Sequence, residues 1–207
     1  MLEKHRKITL ERIEKFVEKL HSKRYAKTTA VTVTHWAAPD RIPFTEIQKD
    51  SFSEISIGSP LGPLWATHWL HVSIDSTHES WIDIGDIYFI LDFGGEALIW
   101  TENGIPLHSL NGQTGEDRRE NFRLYPSPYY NELKNGFYIE CACNELFGNS
   151  DWKVGPTAPS DSKSYSLKQI EIGLILPSFW KLYHDYIVIA DVAKVCIFKI
   201  FLDIILI

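Results

Sequence analysis

The sequence predicts a mainly β protein: an antiparallel, jelly-roll-like β-sandwich with an N-terminal helix and a C-terminal helical segment. Three observations carry that expectation. Between residues 26 and 148, apolar and polar residues alternate in short runs rich in β-branched and aromatic side chains. Gly, Pro and Asn turns separate those runs, with no helical pattern between them, which favours antiparallel pairing. The helical period is confined to the two ends of the chain.

The first segment, residues 1–25, reads as a helix packed on the sandwich. Thr9 is placed to cap it, and Leu10, Ile13, Val17 and Leu20 form one apolar stripe to about Ser22. The sandwich core follows over 26–148. Ala30 to Thr34 is β-branched, and Leu64 to Asp75 alternates. There Ala66, His68, Leu70, Val72 and Ile74 share one face, while Trp65, Thr67, Trp69, His71 and Ser73 share the other. Ile87 to Phe93 is a strongly apolar strand, with a tight turn at Gly94-Gly95 and a further strand at Glu96 to Trp100. Asn103-Gly104 marks a hairpin, since both residues accept positive φ. Phe137 to Cys143 is another strand.

Residues 149–177 read as a Ser- and Pro-rich linker or long loop returning to a last strand at Ile170 to Pro177. Residues 178–207 read as a helical start. Ser178 caps it, and Phe179, Leu182, Tyr186 and Ile189 share a face. From Val195 the composition turns abruptly apolar, an aggregation hazard unless covered.

Composition excludes several functions. Of 207 residues, 44% are hydrophobic and 23% charged, as in ordinary globular proteins. Lys+Arg number 21 against 27 Asp+Glu, a net charge of −6, so no nucleic-acid-seeking surface is expected. The N-terminus lacks the apolar core of a signal peptide, and the three cysteines do not form a disulfide framework. Asp191, Lys194, Lys199 and Asp203 argue against a membrane span in the apolar tail.

Chemistry-bearing motifs are sparse. His68 and His71 fall on opposite faces of one strand, and neither a His-Glu-x-x-His nor a Cys-x-x-Cys pattern occurs. No Gly-x-Ser-x-Gly elbow or phosphate-cradling loop is present. Cys141 reads as a small core residue. Asp92, Glu96, Glu140 and Glu145 offer carboxylate pairs, but so does any chain with this many acids. Trp65, Trp69 and Trp100 suit either packing or stacking on a sugar face.

Four blocks resemble one family. Ile57-Gly58-Ser59-Pro60-Leu61-Gly62-Pro63-Leu64-Trp65-Ala66-Thr67-His68-Trp69-Leu70-His71-Val72 resembles a stretch of the cytosolic and vacuolar α-mannosidases of glycoside hydrolase family 38. So do Leu91 to Leu107 with Leu110-Asn111-Gly112, the Phe137 to Gly148 strand, and the Phe179 to Tyr186 helix, all in register between residues 5 and 194. The resemblance implies an N-terminal jelly-roll domain, with a zinc-dependent catalytic barrel expected beyond Lys194. No catalytic or zinc-binding residue carries over, and zinc is expected only in the full-length family. The implied partners are a catalytic domain of a longer α-mannosidase or another subunit, and mannose-containing oligosaccharide. A cytoplasmic or vacuolar location is expected. Trp65, Trp69, Trp100 and Glu102 are the candidate contacts to carbohydrate or a neighbouring domain. The competing expectations are a free-standing carbohydrate-binding or interaction module, or a non-functional fragment whose apolar tail makes it poorly soluble.

Overall fold

The computed structural model describes residues 2–112, 118–144 and 164–205; for 2–4, 6, 164 and 196–205 it describes the backbone alone. The predicted loop over 149–163 and the candidate acid Glu145 lie outside the described residues. The chain forms two compact units. One contains residues 1–27 and 174–207, the other Thr28–Gly173.

The first unit pairs two helices, α1 (Leu2–Ser22) and α3 (Pro177–Ile205). The predicted stripe is the covered side of α1: Leu10, Ile13 and Val17 are partly covered and Leu20 is buried. The predicted start is corrected. The helix begins at Leu2, and Thr9 lies inside it, its hydroxyl donating back to the His5 carbonyl at 2.9 Å. A threonine can bond its own helix this way as readily as it caps one.

Helix α3 starts one residue before the expected cap, with Pro177 in its first turn, where a missing N–H costs nothing. Its packed side is Trp180, Tyr183, Tyr186 and Ala190; Leu182 and Ile189, expected to share the Phe179 face, are exposed. The helix is apolar on more than one side, so periodicity alone does not select the buried one. The rings of Phe16 and Tyr186 lie 4.8 Å apart, those of His21 and Tyr183 5.9 Å apart. Lys194 meets Glu14 at 3.7 Å. Among the described residues, no helix is long and apolar enough to cross a membrane.

The second unit is the sandwich. A six-stranded sheet runs β3 (Ser53–Glu54), β2 (Thr32–Ala37), β5 (Thr67–Ser73), β10 (Gly136–Ala142), β7 (Glu96–Trp100), β8 (Pro106–Asn111). Each of these pairings is antiparallel. A four-stranded sheet runs β1 (Lys27–Ala30), β12 (Gln169–Ile175), β6 (Asp86–Asp92), β9 (Asn121–Tyr125). Strands β4 (Pro60–Pro63) and β11 (Ser164–Ser166) make a small third sheet, and α2 (Tyr130–Leu133) leads into β10. The core lies between the two large sheets, where Phe89 of β6 meets Phe137 of β10 edge to face at 4.9 Å, both fully buried.

Two local expectations change. The β-branched run at 30–34 is not one strand: it divides at Val31, and β1 and β2 enter different sheets. The Asn103-Gly104 hairpin forms between β7 and β8, but only Gly104 takes positive φ, +80°. The turn therefore follows the longer-loop hairpin pattern with one left-handed glycine and a register shift at Ile99/Trp100. Gly94, at φ +84°, makes the expected tight turn, closed by its N–H donating to Asp92 Oδ1 at 3.0 Å.

Candidate functional site

Strand register decides which side chains share a face. On the six-stranded sheet, Val33, His68, Leu70, Val72, Ile99, Phe137, Ile139 and Cys141 are turned to the core. The alternate residues form the outer face. In one row across it, Ser109 stands opposite Leu98, Leu98 opposite Glu140, Glu140 opposite Trp69 and Trp69 opposite Trp36. In the next, Asn111, Glu96, Ala142 and Thr67 follow one another.

Half of this outer face is covered by the segment joining β2 to β3. Phe44 stacks on Trp100 with centroids 5.5 Å apart and meets Trp69 and Tyr138 edge-on at 5.9 and 5.5 Å. Ile47 and Phe52 complete the cluster. Trp69 is thereby fully buried, and its indole N–H finds no acceptor among the described residues. Glu102 lies near this covered half, 2.6 Å from His71 Nε2, and borders a shallow 690 Å³ depression with Phe44 and Lys49.

Among the described residues, the other half forms a cleft of about 810 Å³. Arg41, Trp65, Glu96, Glu140, Asn144 and Arg119 line it. Asn144 donates its amide to Glu96 Oε2 at 2.7 Å and so fixes that carboxylate. Burial pushes the Glu140 carboxyl above its ordinary value. The Arg41 guanidinium and the Trp100 indole, which faces it without closing a hydrogen bond, oppose that rise.

Trp65 occupies this site through an unusual backbone. It does not continue β5 as the alternation suggested but sits in a turn, with Ala66 N–H donating to the Pro63 carbonyl at 3.0 Å. Its φ is +74°, the value a type II turn demands at its third residue, where glycine is the usual occupant. A bulky side chain there costs about 1–2 kcal/mol. The turn is clamped to the end of β10 by Trp65 N–H to Cys143 O at 2.7 Å and Cys143 N–H to Ala66 O at 2.9 Å. Trp65 remains 38% exposed.

Of the four sequence candidates, then, only Trp65 lines the cleft; Trp69 and Trp100 belong to the aromatic cluster, and Glu102 lies beside it. Glu96 and Glu140, two of the unspecific carboxylates, are brought together with Asn144 of the Phe137 to Gly148 block, while Arg41 and Arg119 carried no sequence signal. Burial raises both the Cys141 thiol and the Cys143 thiol, the latter to about 12, consistent with inert core residues. Among the described residues, no cluster of His, Cys, Asp or Glu is arranged to hold a metal ion.

A family model described as "Alpha-mannosidase, jelly roll domain" matches residues 28–173. "Alpha-mannosidase G" of Dictyostelium discoideum is 31% identical over 201 residues, covering 92% of this chain and 18% of that protein. "Alpha-mannosidase 2C1" of mouse is 27% identical over 199 residues, with 92% and 18% covered. The human protein of that name is 26% identical over 200 residues, with 92% and 19% covered. The chain thus spans under a fifth of the length of these relatives, in their N-terminal region. It belongs to the α-mannosidase family, as the jelly-roll portion that precedes the catalytic part.

Proposed function

We propose that this chain serves as the non-catalytic docking portion of an α-mannosidase that removes terminal α-mannose from oligosaccharides. Its partner is the catalytic portion, in the same polypeptide or a neighbouring subunit, and zinc belongs to that portion. The setting is cytosolic, with the vacuole as the alternative. One observation carries the docking role: α3 presents Val188, Ile189, Val192 and Val195 to solvent, each more than half exposed. Val188, Val192 and Val195 repeat at helical spacing and make one stripe. Burying such a side chain is worth roughly 1.5–3 kcal/mol, so a stripe of this kind marks an interface.

The test is capture of the remaining four-fifths of the Dictyostelium relative by the tagged 207-residue chain. The wild-type chain is expected to retain that polypeptide, and Val188→Lys/Val192→Lys to retain roughly tenfold less, through burial of two unpaired charges. The chain alone is expected to leave p-nitrophenyl α-mannoside intact. Equal capture by wild-type and double variant, or hydrolysis by the chain alone, sinks the reading.

A further inference from the structure

We propose that residues 39–52 form a hinged cover, which swings off the outer face of the six-stranded sheet while the sandwich stays folded. The motion involves none of the α3 residues on which docking rests, so either reading can fail without the other.

The segment's hydrogen bonds set it apart from the sheet beneath. It winds into two short helical turns, Phe44–Glu46 and Lys49–Ser51. Glu46 N–H donates to Pro43 O at 3.0 Å, Ile47 N–H to Phe44 O at 3.3 Å and Ser51 N–H to Gln48 O at 2.9 Å. Among the described residues, no backbone hydrogen bond joins 39–52 to the sheet. The last tie on one side is Ala38 N–H to Thr67 O at 3.1 Å; on the other it is the pairing of Ser53 with His35. A segment bonded only to itself between two fixed points opens as a unit, because no strand hydrogen bond has to break. Ala37 and Ala38, small residues ahead of Pro39, make the first hinge.

Side chains hold the cover down. Phe44 seats on Trp69, Trp100 and Tyr138, and Phe52 meets Tyr138 edge-on at 6.0 Å. Lys49 Nζ stands 5.1 Å from the centre of the Tyr138 ring. The seat is shaped for Phe44: a Cβ on Gly104 would come within 2.6 Å of its ring.

The second observation lies under the cover. The indole N–H groups of Trp69 and Trp100 are shut away from water and find no acceptor among the described residues. Closing therefore gives up hydrogen bonds to water without replacing them, which offsets part of the apolar burial that favours the closed state. Opening restores them, so the two states lie closer in free energy than the aromatic contacts alone imply. Arg41 rides on the same segment and lines the neighbouring cleft, so each opening also takes a guanidinium from beside Glu140.

Hydrogen exchange of the ¹⁵N-labelled 207-residue chain, followed by NMR in deuterated buffer, tests this. The Trp69 indole signal is assigned by its loss in Trp69→Phe. Its proton is expected to be protected at least about 100-fold less than the Leu70 and Ile139 amides of the central strands, which exchange only on global unfolding. Low urea should barely change its rate and should raise theirs steeply, since opening the cover exposes little surface. Phe44→Ala should speed the indole exchange roughly tenfold or more, because the lost contacts exist only in the closed state. Phe89→Leu, in the core between the sheets, should speed the strand amides and leave the indole as in wild type. Should Phe44→Ala fail to fold, the wild-type rates and Phe89→Leu decide alone. An indole proton that exchanges with the strand amides and follows their urea dependence would show a fixed cover and overturn the proposal. So would a rate indifferent to Phe44→Ala, or complete exchange before the first spectrum, which would mean that Trp69 is not covered.

Discussion

Replacing Trp69 by Ala is expected to destabilise the sandwich by about 3–5 kcal/mol, the range for deleting a buried large aromatic side chain. Trp69 is fully buried at the centre of the outer-face cluster, opposite Trp36 on β2 and Glu140 on β10. Phe44 meets it edge-on at 5.9 Å, and the Trp100 ring lies 5.8 Å away. Removing the indole leaves a cavity that Phe44 cannot fill without giving up its stack on Trp100. For a chain of this length such a loss lowers the melting midpoint by roughly 6–20 °C, measurable in the strand signal of far-UV circular dichroism. Trp69→Phe separates volume from polarity. It keeps a ring but removes an N–H that has no acceptor among the described residues, a group whose burial costs about 1–3 kcal/mol. The two terms oppose, so Trp69→Phe should cost less than about 1.5 kcal/mol. A loss below about 1 kcal/mol for Trp69→Ala would mean the 38–52 segment does not cover this face as described.

This contrast shows what the sequence could and could not disclose. Period two correctly separated His68 from His71: one is buried in the core, the other pairs with Glu102 outside. It also set Trp69 on the face opposite Leu70, yet alternation cannot say whether an outer face is covered. That depends on Phe44, which lies 25 positions earlier and reaches Trp69 only after β2 pairs with β5. The cleft was hidden for a related reason. Glu96 and Glu140 become neighbours through the register of β7 on β10, and Arg41 joins them from a loop without any motif. Trp65 was misplaced onto the strand because positive φ at a tryptophan contradicts local preference, and the clamp between this turn and Cys143 is set by pairing that local sequence does not show. On α3, where apolar residues lie on several sides, the sequence named the Phe179, Leu182, Tyr186 and Ile189 face; the contact with α1 keeps Tyr186, adds Tyr183 and leaves Leu182 and Ile189 exposed.

The second large effect is a loss of stability in acid, centred on two histidines. Gly62 N–H donates to His68 Nε2 at 2.7 Å, so that nitrogen must be unprotonated. The ring hydrogen of His68 therefore sits on Nδ1 and is donated to His35 Nε2, also at 2.7 Å. The two rings stack at 4.9 Å. Protonating either accepting nitrogen breaks this chain, and His68 is buried, so the loss of its hydrogen bond is costly. Burial first, and then the neighbouring His35, push the His68 pKa down from 6.5 to about 4. In the unfolded chain His68 takes up its proton near pH 6.5, whereas the folded chain refuses it until about pH 4. The unfolded state binds more protons throughout that window, so stability is complete above pH 6.5 and falls as the pH drops towards 4. The full decrement is about 3 kcal/mol. His35 and His108, both lowered chiefly by burial, act in the same direction. Glu140, raised by burial, acts oppositely, because its folded form holds a proton more readily than its unfolded form. Wild type alone thus reports a sum. Urea unfolding of His68→Gln beside wild type, at about pH 7.5 and about pH 4.5, isolates the histidine, since glutamine offers an acceptor for Gly62 without titrating. Wild type should lose most of the decrement between those two conditions and His68→Gln markedly less. Equal losses in the two proteins would show that the pair does not govern the acid response.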